Sequence, residues 1–357
     1  MGIKQIVLMV KMKKSSADGG VQIVEELNVV VIGLGSMGKR RTRIVRSLYP
    51  DFDVVGVDMS VERRKDFADE FSLPVFASLK EALENRKIDA VIISASPLAH
   101  GDIANECLQH GLHVFTEINL QPYRYEENMQ LAQTNHVKLF LSSTFLYRKE
   151  TQFIHQEVKA VNEPLSYIYH VGQYLPDWHP WEDYRNYFVA KRDSNACREL
   201  FAIEMPWLIN TFGKIESLQV VSDKMSELDL PYHDNYMLMI KHVSGHKGML
   251  AVDVVSREAV RDFSVYGEHL FIKWDGTPQG LQSKNLENGE LTSIQLYEDD
   301  TARHDDNYSR NIIENAYESE IEAFVSAIRD GKKPVYGYLD DAETLSWIDK
   351  IEEGMVQ

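Results

Sequence analysis

The chain has few cysteines and no long apolar run. None of its hydrophobic stretches approaches the roughly 20 residues that span a bilayer. The stretch Ile6–Val10 is also too short for the core of a signal peptide. The two cysteines, Cys107 and Cys197, lie far apart and lack CxxC spacing, which argues against a disulfide framework and against a zinc site. We therefore expect a cytoplasmic protein without a bound metal.

Basic residues are also scarce relative to acidic ones. The 357 residues include 38 Lys and Arg against 55 Asp and Glu, which gives a formal net charge of −17. A surface of that sign repels phosphate backbones, so neither nucleic acid nor an anionic membrane is an expected partner. Hydrophobic residues at 44% and charged residues at 26% are typical of a globular protein, and the length favours two domains.

The first half of the chain alternates between strand and helix patterns. Residues 1–25 contain a basic stretch followed by Ser and Gly, and they predict a flexible extension. From Leu27 onward, short apolar runs typical of buried strands alternate with helical segments. This pattern predicts a doubly wound parallel sheet, a Rossmann domain, over residues 26–145. The predicted strands are Leu27–Ile32, Asp53–Val57, Val75–Phe76, Ala90–Ile93, His113–Phe115 and Lys138–Leu141.

The second half, residues 146–357, has a different pattern of apolar and polar residues. Several segments alternate apolar and polar residues, which predicts an α+β domain with a largely antiparallel sheet and one open face. Helices are predicted near 198–212, 308–330 and 338–353, with Gly331–Pro334 as the stop between the last two. The predicted strands are Tyr167–Leu175, Leu218–Val221, Tyr236–Lys241, Gly248–Val255, Arg261–Val265 and Leu270–Trp274.

The strongest motif is the glycine-rich sequence GLGSMG, from Gly33 to Gly38, between an apolar strand and a helical pattern. In this context a GxGxxG sequence predicts a dinucleotide site. Gly33 permits the tight turn, Gly35 lets the backbone approach the pyrophosphate, and Gly38 lets the helix pack close to the sheet. The start of the helix, which includes Ser36 and Met37, offers N–H groups to the phosphates.

A carboxylate follows where the adenosine ribose of such a cofactor is bound. Asp58 ends the second predicted strand, about 20 residues after the last glycine of the motif. It accepts hydrogen bonds from ribose hydroxyls and repels a 2′-phosphate, so NAD is favoured over NADP. Arg63 and Arg64 come next, and we interpret them as a solvated helix face rather than a 2′-phosphate site. Most of the basic side chains on the following helix are expected to be solvated, with Lys39 or Arg40 as an alternative phosphate contact; they are Lys39, Arg40, Arg41, Arg43 and Arg46.

The order of these motifs resembles that of the Gfo/Idh/MocA oxidoreductase family, named after glucose–fructose oxidoreductase and inositol dehydrogenase. The glycine motif and Asp58 are followed by the turn Ser94–His100, the strand end His113–Glu117 and the closing segment Glu322–Pro334. The resemblance covers about residues 27–353. It implies NAD-dependent hydride transfer at a carbinol carbon of a sugar, sugar nucleotide or related polyol. It also implies cofactor contacts from Ser94, Ser96, Pro97, His100, Glu117 and Asn119.

Two positions depart from the family pattern. Where the family usually has Glu-Lys-Pro, this chain has Glu117-Ile118-Asn119, so Ile118 replaces a lysine that holds or protonates the substrate oxygen. In the helix that commonly carries a DxGxHxxD pattern, the matching segment is Glu199–Pro206, and Ile203 replaces the histidine. The usual proton-transfer pair is therefore absent.

Other side chains are candidates for proton transfer and substrate binding. An aromatic segment that ends at Arg185 resembles a substrate-facing stretch of sugar-processing members, and within it His179 is the candidate general base. Tyr147 and Glu204 are further catalytic candidates. The alternative interpretation is a surface histidine for His179, a capped or solvated carboxylate for Glu204, and a structural ion pair for Arg148 and Arg185. The candidate substrate-binding residues are Arg148, Trp178, Trp181 and Arg185.

Three functions fit this pattern. The first is an NAD-dependent dehydrogenase with an atypical proton path, which the clustered aromatic and polar groups favour. The second is an NAD-binding regulator without catalysis, like the yeast galactose repressor of the same family. The third is an epimerase or isomerase that retains its cofactor. In each case we expect a homodimer or homotetramer built through the open sheet face, because that face would otherwise expose a large apolar area.

Overall fold

The computed structural model describes residues 26–298 and 313–354, apart from His179 and Trp181. The predicted extension over residues 1–25 therefore lies outside the described residues, as do these two candidates. The strands of the first domain are β1 (Asn28–Ile32), β2 (Asp53–Val57), β3 (Val75–Phe76), β4 (Ala90–Ile93), β5 (His113–Thr116) and β6 (Leu139–Leu141). Its helices are α1 (Ser36–Leu48), α2 (Val61–Phe71), α3 (Leu79–Asn85), α4 (His100–Gln109) and α5 (Tyr125–Thr134).

These six strands form one parallel sheet in the order β3-β2-β1-β4-β5-β6. The central strands β1 and β4 are apolar and almost wholly buried, as expected for a parallel sheet with helices on its faces. The strand order reverses between β1 and β4, which leaves a crevice at their carboxyl ends. The predicted Rossmann domain is confirmed, and each strand begins and ends within one residue of its prediction.

The second domain contains the remaining described strands. Its strands are β7 (Ser166–Gly172), β8 (Ile215–Asp223), β9 (Asn235–His242), β10 (Lys247–Asp253), β11 (Val260–Tyr266), β12 (Phe271–Trp274), β13 (Gln282–Lys284) and β14 (Leu291–Ser293). The helices that follow the first domain are α6 (Lys149–Ala160), α7 (Ala196–Phe212), α8 (Glu314–Asp330) and α9 (Tyr338–Glu352). The sheet order is β14-β13-β12-β11-β7-β10-β9-β8, and every neighbouring pair is antiparallel except β7 with β10.

One face of this second sheet is covered and the other is open. On β9, Leu238 is buried, whereas Met237 and Met239 on either side of it are exposed. Helix α7 covers the buried face, where the ring of Trp207 lies 5.1 Å from that of Phe263 on β11. The mostly antiparallel, open-faced sheet predicted from the alternating pattern is therefore confirmed.

Three parts of the second domain differ from the prediction. Helix α6 was not expected, because Ile154 and Val158 are its only buried aliphatic residues and they form a weak pattern. Strands β13 and β14 contain no buried residue, so no alternation reveals them. Strand β7 ends at Gly172 rather than Leu175, because the chain turns there into the proline-containing 3₁₀ helix Leu175–Asp177.

Helix α8 packs on the Rossmann domain although it comes late in the chain. Its residues Ile321 and Phe324 share a core with Val29 of β1, Ile92 of β4 and Phe115 of β5. The sequence-based division places this helix in the second domain, whereas the chain in fact returns to the first domain after the second sheet. Within the described ranges, no helix is both long and apolar enough to cross a bilayer.

A buried arginine links α8 to the first domain. Arg41 on α1 is fully buried, and its Nη2 lies 2.6 Å from Oε2 of Glu320 on α8. Its Nε lies 2.5 Å from Oε1 of Glu117, directly after β5. Glu320 also accepts the backbone N–H of Ser143 at 2.6 Å. The expectation of solvated side chains is wrong for Arg41, and its neighbour Arg40 is buried as well. The acidic partners of both residues come from distant parts of the chain.

Replacing Arg41 with methionine should lower the free energy of unfolding by about 3–5 kcal/mol, because the buried Glu320 and the partly buried Glu117 lose their cation. Burial already raises the pKa of Glu320, and loss of the cation raises it further. A raised pKa in the folded state means that stability is lost as pH rises, so the loss should be larger at about pH 8 than at about pH 5. Urea unfolding at both pH values measures this effect.

The matched control is Arg43→Met on the same helix. Arg43 is 44% exposed in its side chain and lies 3.4 Å from Glu70, so its replacement should change stability by less than about 0.5 kcal/mol. Similar losses of unfolding free energy in the two variants would show that the pairing of Arg41 with Glu117 and Glu320 has no special importance for stability.

Candidate dinucleotide and substrate site

The turn between β1 and α1 is packed so closely that only glycine fits at two of its positions. Gly33 has a φ of +90°, and a Cβ there would lie 2.6 Å from the backbone nitrogen of Ala95. A Cβ on Gly38 would lie 1.9 Å from the carbonyl oxygen of Gly33. These contacts hold the first turn of α1 against the carboxyl ends of β1 and β4.

The surroundings of Gly35 are open, unlike those of Gly33 and Gly38. A Cβ at this position would meet no atom within 4 Å, so the backbone borders open space. Helix α1 begins here with no acidic residue in its first turn, which leaves the partial positive charge of its N-terminus available to an anion. At the end of β4, the Oγ of Ser94 is buried and has no hydrogen-bond partner among the described residues. This open cradle with a donor beside it fits a pyrophosphate group.

Asp58 lies beside the cradle at the end of β2. Its two carboxylate oxygens accept the backbone N–H groups of Leu34 at 2.9 Å and Ser60 at 2.8 Å. Each oxygen retains a lone pair for a further donor such as a ribose hydroxyl. Arg64 donates to the carbonyl oxygen of Asp58 at 2.6 Å, while Arg63 is exposed, with its Nη1 3.9 Å from Oδ2 of Asp58. The turn therefore presents a fixed negative charge at the end of β2.

The residues after β4 and β5 brace each other. His100 is buried, with Nδ1 2.9 Å from Oδ1 of Asn119 and Nε2 3.0 Å from the carbonyl oxygen of Ala95. Burial lowers the pKa of His100. Glu117 is held by Arg41 in the ion pair described above. These side chains fix the loops that border the crevice.

The structure brings the predicted cofactor residues to one edge of the parallel sheet. Each lies at, or shortly after, the carboxyl end of β1, β2, β4 or β5, where the strand-order reversal leaves the crevice. They are Gly33, Gly35, Ser36, Met37, Gly38, Asp58, Ser94, Ser96, Pro97, His100, Glu117 and Asn119.

Glu204, a candidate base, is buried on the side of α7 that faces the second sheet. Its Oε2 accepts the hydroxyl of Tyr169 at 2.7 Å and the indole N–H of Trp207 at 2.9 Å. Its Oε1 accepts the Nε–H of Arg261 at 2.8 Å. Since both carboxylate oxygens are occupied by protein donors, these contacts favour a structural role and argue against proton transfer.

Arg148 and Tyr147 are also engaged within the protein. The buried Arg148 donates through Nη2 to Oε1 of Glu150 at 2.9 Å and to the carbonyl oxygen of Gly276 at 3.1 Å. Tyr147 is half-buried, and its ring lies 6.5 Å from that of Phe140. Burial raises the pKa of the Tyr147 hydroxyl. The ion-pair alternative therefore fits Arg148 better than substrate binding, and Tyr147 belongs to the packing around β6.

The aromatic segment forms part of the loop between β7 and α7. Arg185 is exposed and pairs with Asp183, with Nη2 2.6 Å from Oδ2. Trp178 is half-buried, and its indole N–H donates to a backbone carbonyl of its own loop at 3.2 Å. Both side chains border solvent and stay proposed substrate contacts, while the described residues give no position for His179 and Trp181.

Known proteins match both the first domain and the fold of the chain. Residues 27–143 match the model of the Gfo/Idh/MocA family, described as an oxidoreductase family with an NAD-binding Rossmann fold. Human biliverdin reductase A is 26% identical over 216 residues, which are 60% of this chain and 66% of that protein. The match to this relative therefore spans slightly less than two thirds of its length.

Solved structures share the fold at lower identity. Levoglucosan dehydrogenase in complex with NADH has a TM-score of 0.76 and 15% identity, covering 92% of this chain and 97% of the other. UDP-N-acetylglucosamine 3-dehydrogenase from Acidithiobacillus ferrooxidans has a TM-score of 0.72 and 17% identity, covering 93% and 98%.

The family model confirms the class of domain that the glycine motif and Asp58 predict, and the order of the remaining motifs agrees with it. The first domain is thus similar to the Gfo/Idh/MocA oxidoreductase family, whose NAD-binding Rossmann fold matches residues 27–143.

Proposed function

We propose that this protein is an NAD-dependent oxidoreductase that transfers a hydride at a carbinol carbon of a sugar, a sugar nucleotide or a related polyol. The observation that carries the proposal is the open cradle at Gly35, with the buried, unpartnered hydroxyl of Ser94 nearby. The substrate class is supported by structures of the same fold, which include dehydrogenases of levoglucosan and of UDP-N-acetylglucosamine.

The fixed charge of Asp58 favours NAD over NADP, because a 2′-phosphate at the end of β2 would meet a carboxylate held by two backbone N–H groups. The same fold also occurs with the phosphorylated cofactor, as in the complex of Synechocystis biliverdin reductase with biliverdin and NADP⁺. In this chain the exposed Arg63 already lies near the Asp58 carboxylate, so Arg63 is less available to bind a 2′-phosphate.

The chain's own residues hold the reactants and remove a proton. A bound nicotinamide supplies the hydride acceptor or donor. His100 and the Glu117–Arg41 pair keep the loops of the crevice in place. The substrate hydroxyl must also lose its proton, and the apolar side chains of Ile118 and Ile203 cannot accept it. Another group on the chain has to serve as the acceptor.

A regulator without catalysis is the second candidate. The observation that favours it is the nature of Ile118 and Ile203, which are only partly buried and pack against the core of the second domain. Neither position carries the polar group that the family commonly uses there. An epimerase or isomerase with retained cofactor would use the same site, and it would differ by not releasing NADH.

Gly35→Val should weaken dinucleotide binding and leave the fold intact. Gly35 has a φ of −74°, and the space around it accepts a side chain without a clash, so the valine would fill the cradle instead. In calorimetric titrations the affinity for NAD should fall at least about tenfold, which is about 1.4 kcal/mol. The melting temperature should not change.

Gly337→Ala, at the start of α9, is the matched control. Gly337 has a φ of −145°, and its Cβ would have its nearest contact at 3.8 Å, so both the fold and the NAD affinity should be preserved. If Gly35→Val binds NAD with undiminished affinity, the assignment of this turn as the pyrophosphate site is wrong.

The wild-type protein with NAD should produce NADH from one class among UDP-sugars, inositols and anhydrosugars. Absorbance of NADH measures the turnover, and chromatography of the sugars detects an epimer formed without NADH release. Binding of NAD with neither product would favour the regulator. Turnover confined to biliverdin with a reduced cofactor would contradict the proposed substrate class.

We also propose that two copies of the chain associate through the open face of the second sheet. The strand register aligns Ile168 on β7 with Met249 on β10, and Met249 with Met239 on β9. In the next row, Met237 on β9 lies opposite Val221 on β8. All five side chains are at least 43% exposed. A continuous apolar surface of this kind is typical of a self-complementary interface.

Met239→Glu should convert the oligomer into monomers, because it places a charge in the middle of this face. Light scattering coupled to gel filtration at micromolar concentration measures the mass. Met225→Glu is the control, since Met225 is equally exposed but lies in the connection between β8 and β9. A monomeric wild-type protein would overturn the proposed interface.

A further inference from the structure

Glu199 differs from the buried carboxylates of the second domain, and the sequence comparison assigns it no role. It lies in the first turn of α7 and is half-buried. Its Oε2 is wholly buried and has no hydrogen-bond partner among the described residues. By contrast, the carboxylates of Glu204 and Glu150 each accept several protein donors. A buried polar atom without a hydrogen-bond partner destabilises the folded protein unless a ligand or water supplies the hydrogen bond.

The helix places Glu199 on the side of α7 that faces away from the sheet. Glu199 and Ile203 are one turn apart, and they are the partly exposed positions in the first half of the helix. Glu204, which accepts the hydroxyl of Tyr169 on the sheet, lies about 140° around the helix from Glu199. In the first half of α7, Glu199 and Ile203 are therefore the positions that a ligand can reach.

The neighbouring contacts place this open stripe beside the cofactor edge of the first domain. Arg198, the residue before Glu199, donates through Nε to the carbonyl oxygen of Leu120 at 2.7 Å. Leu120 belongs to the same loop after β5 as Glu117, Ile118 and Asn119. The first turn of α7 is thus held directly against the loop that borders the crevice.

Burial, rather than a neighbouring charge, determines the pKa of Glu199. The guanidinium of Arg198 is turned toward α9, where it pairs with Asp349 and Glu352 at 2.6 Å each. From the connection before β9, Tyr232 lies close enough for the Glu199 charge to contribute to its raised pKa, after the larger effect of burial. Burial alone raises the pKa of Glu199 to about 7. The group can therefore exchange a proton near neutral pH.

We propose that Glu199 is the catalytic residue that accepts the hydroxyl proton of the substrate during oxidation and returns it during reduction. This inference rests on the proposed function. As the carbinol C–H bond breaks, its hydride passes to the oxidised nicotinamide. The O–H bond breaks as well, the carbonyl forms, and the proton binds to the Glu199 carboxylate, from which solvent removes it. One carboxylate thus performs the proton transfer for which Ile118 and Ile203 have no group.

The first readout requires no turnover. In infrared difference spectra of the protein titrated from acid to alkaline pH, the carbonyl stretch of a protonated carboxylic acid should disappear near neutral pH. Burial also raises the pKa of Asp341 to about 6, so this group contributes a second component of the band. Glu199→Gln should lose the component that titrates near pH 7 and keep the other, while Glu84→Gln, a variant of an exposed acid on α3, should keep both. Identical titrations in all three proteins would overturn the assignment of Glu199 as a group that titrates near neutrality.

The second readout is turnover of the substrate found for the wild-type protein. Glu199→Gln should lower kcat about 10²–10⁴-fold, with NAD affinity unchanged, and should lose the rise in oxidation rate through about pH 7. Glu199→Asp should recover part of kcat, and Glu84→Gln should behave as wild type. A Gln variant within twofold of wild type would overturn the inference alone. A wild-type protein without any turnover would overturn the proposed function, and the catalytic role of Glu199 with it.

Discussion

The cofactor crevice depends on a single buried cation. Arg41 neutralises Glu117 beside the crevice and Glu320 on α8, so it connects the glycine turn, the loop after β5 and a helix from the far end of the chain. Buried ion pairs contribute little net stability, because desolvation of the charges offsets their attraction. Removing one charged partner is nevertheless costly, because it leaves an uncompensated buried charge. The pairing of Arg41 with Glu320 therefore favours the return of α8 to the first domain. The shape of the crevice is therefore determined partly by residues far from it in sequence.

The cofactor half of the site could be predicted from the sequence because each of its signals is local. The turn at Gly33 and Gly38 and the carboxylate of Asp58 are determined by a strand, a turn and a helix within one short segment. The buried state of Arg41 could not be predicted in this way, since its partner Glu320 lies in a distant segment. The same holds for Glu204, whose donors come from two strands of the second sheet and from its own helix.

Helix α7 shows how the surroundings give one side-chain type two different chemistries. Glu204 faces the sheet, where three protein donors satisfy its carboxylate. Glu199 lies on another side of the same helix, where burial without donors favours the protonated form. Pairs of carboxyl groups with such different environments are common where one group is structural and the other exchanges protons.

The open face of the second sheet is rich in methionine, and this composition has a chemical consequence. Met237, Met239 and Met249 are exposed thioethers in adjacent rows of the sheet. Oxidants convert such a side chain to a polar sulfoxide, which reductases can reverse. An interface built on these residues would loosen under oxidising conditions and recover afterwards, whereas the two cysteines are buried and protected from the same oxidants. The association of the subunits, rather than a thiol, would then be the redox-sensitive property of this protein.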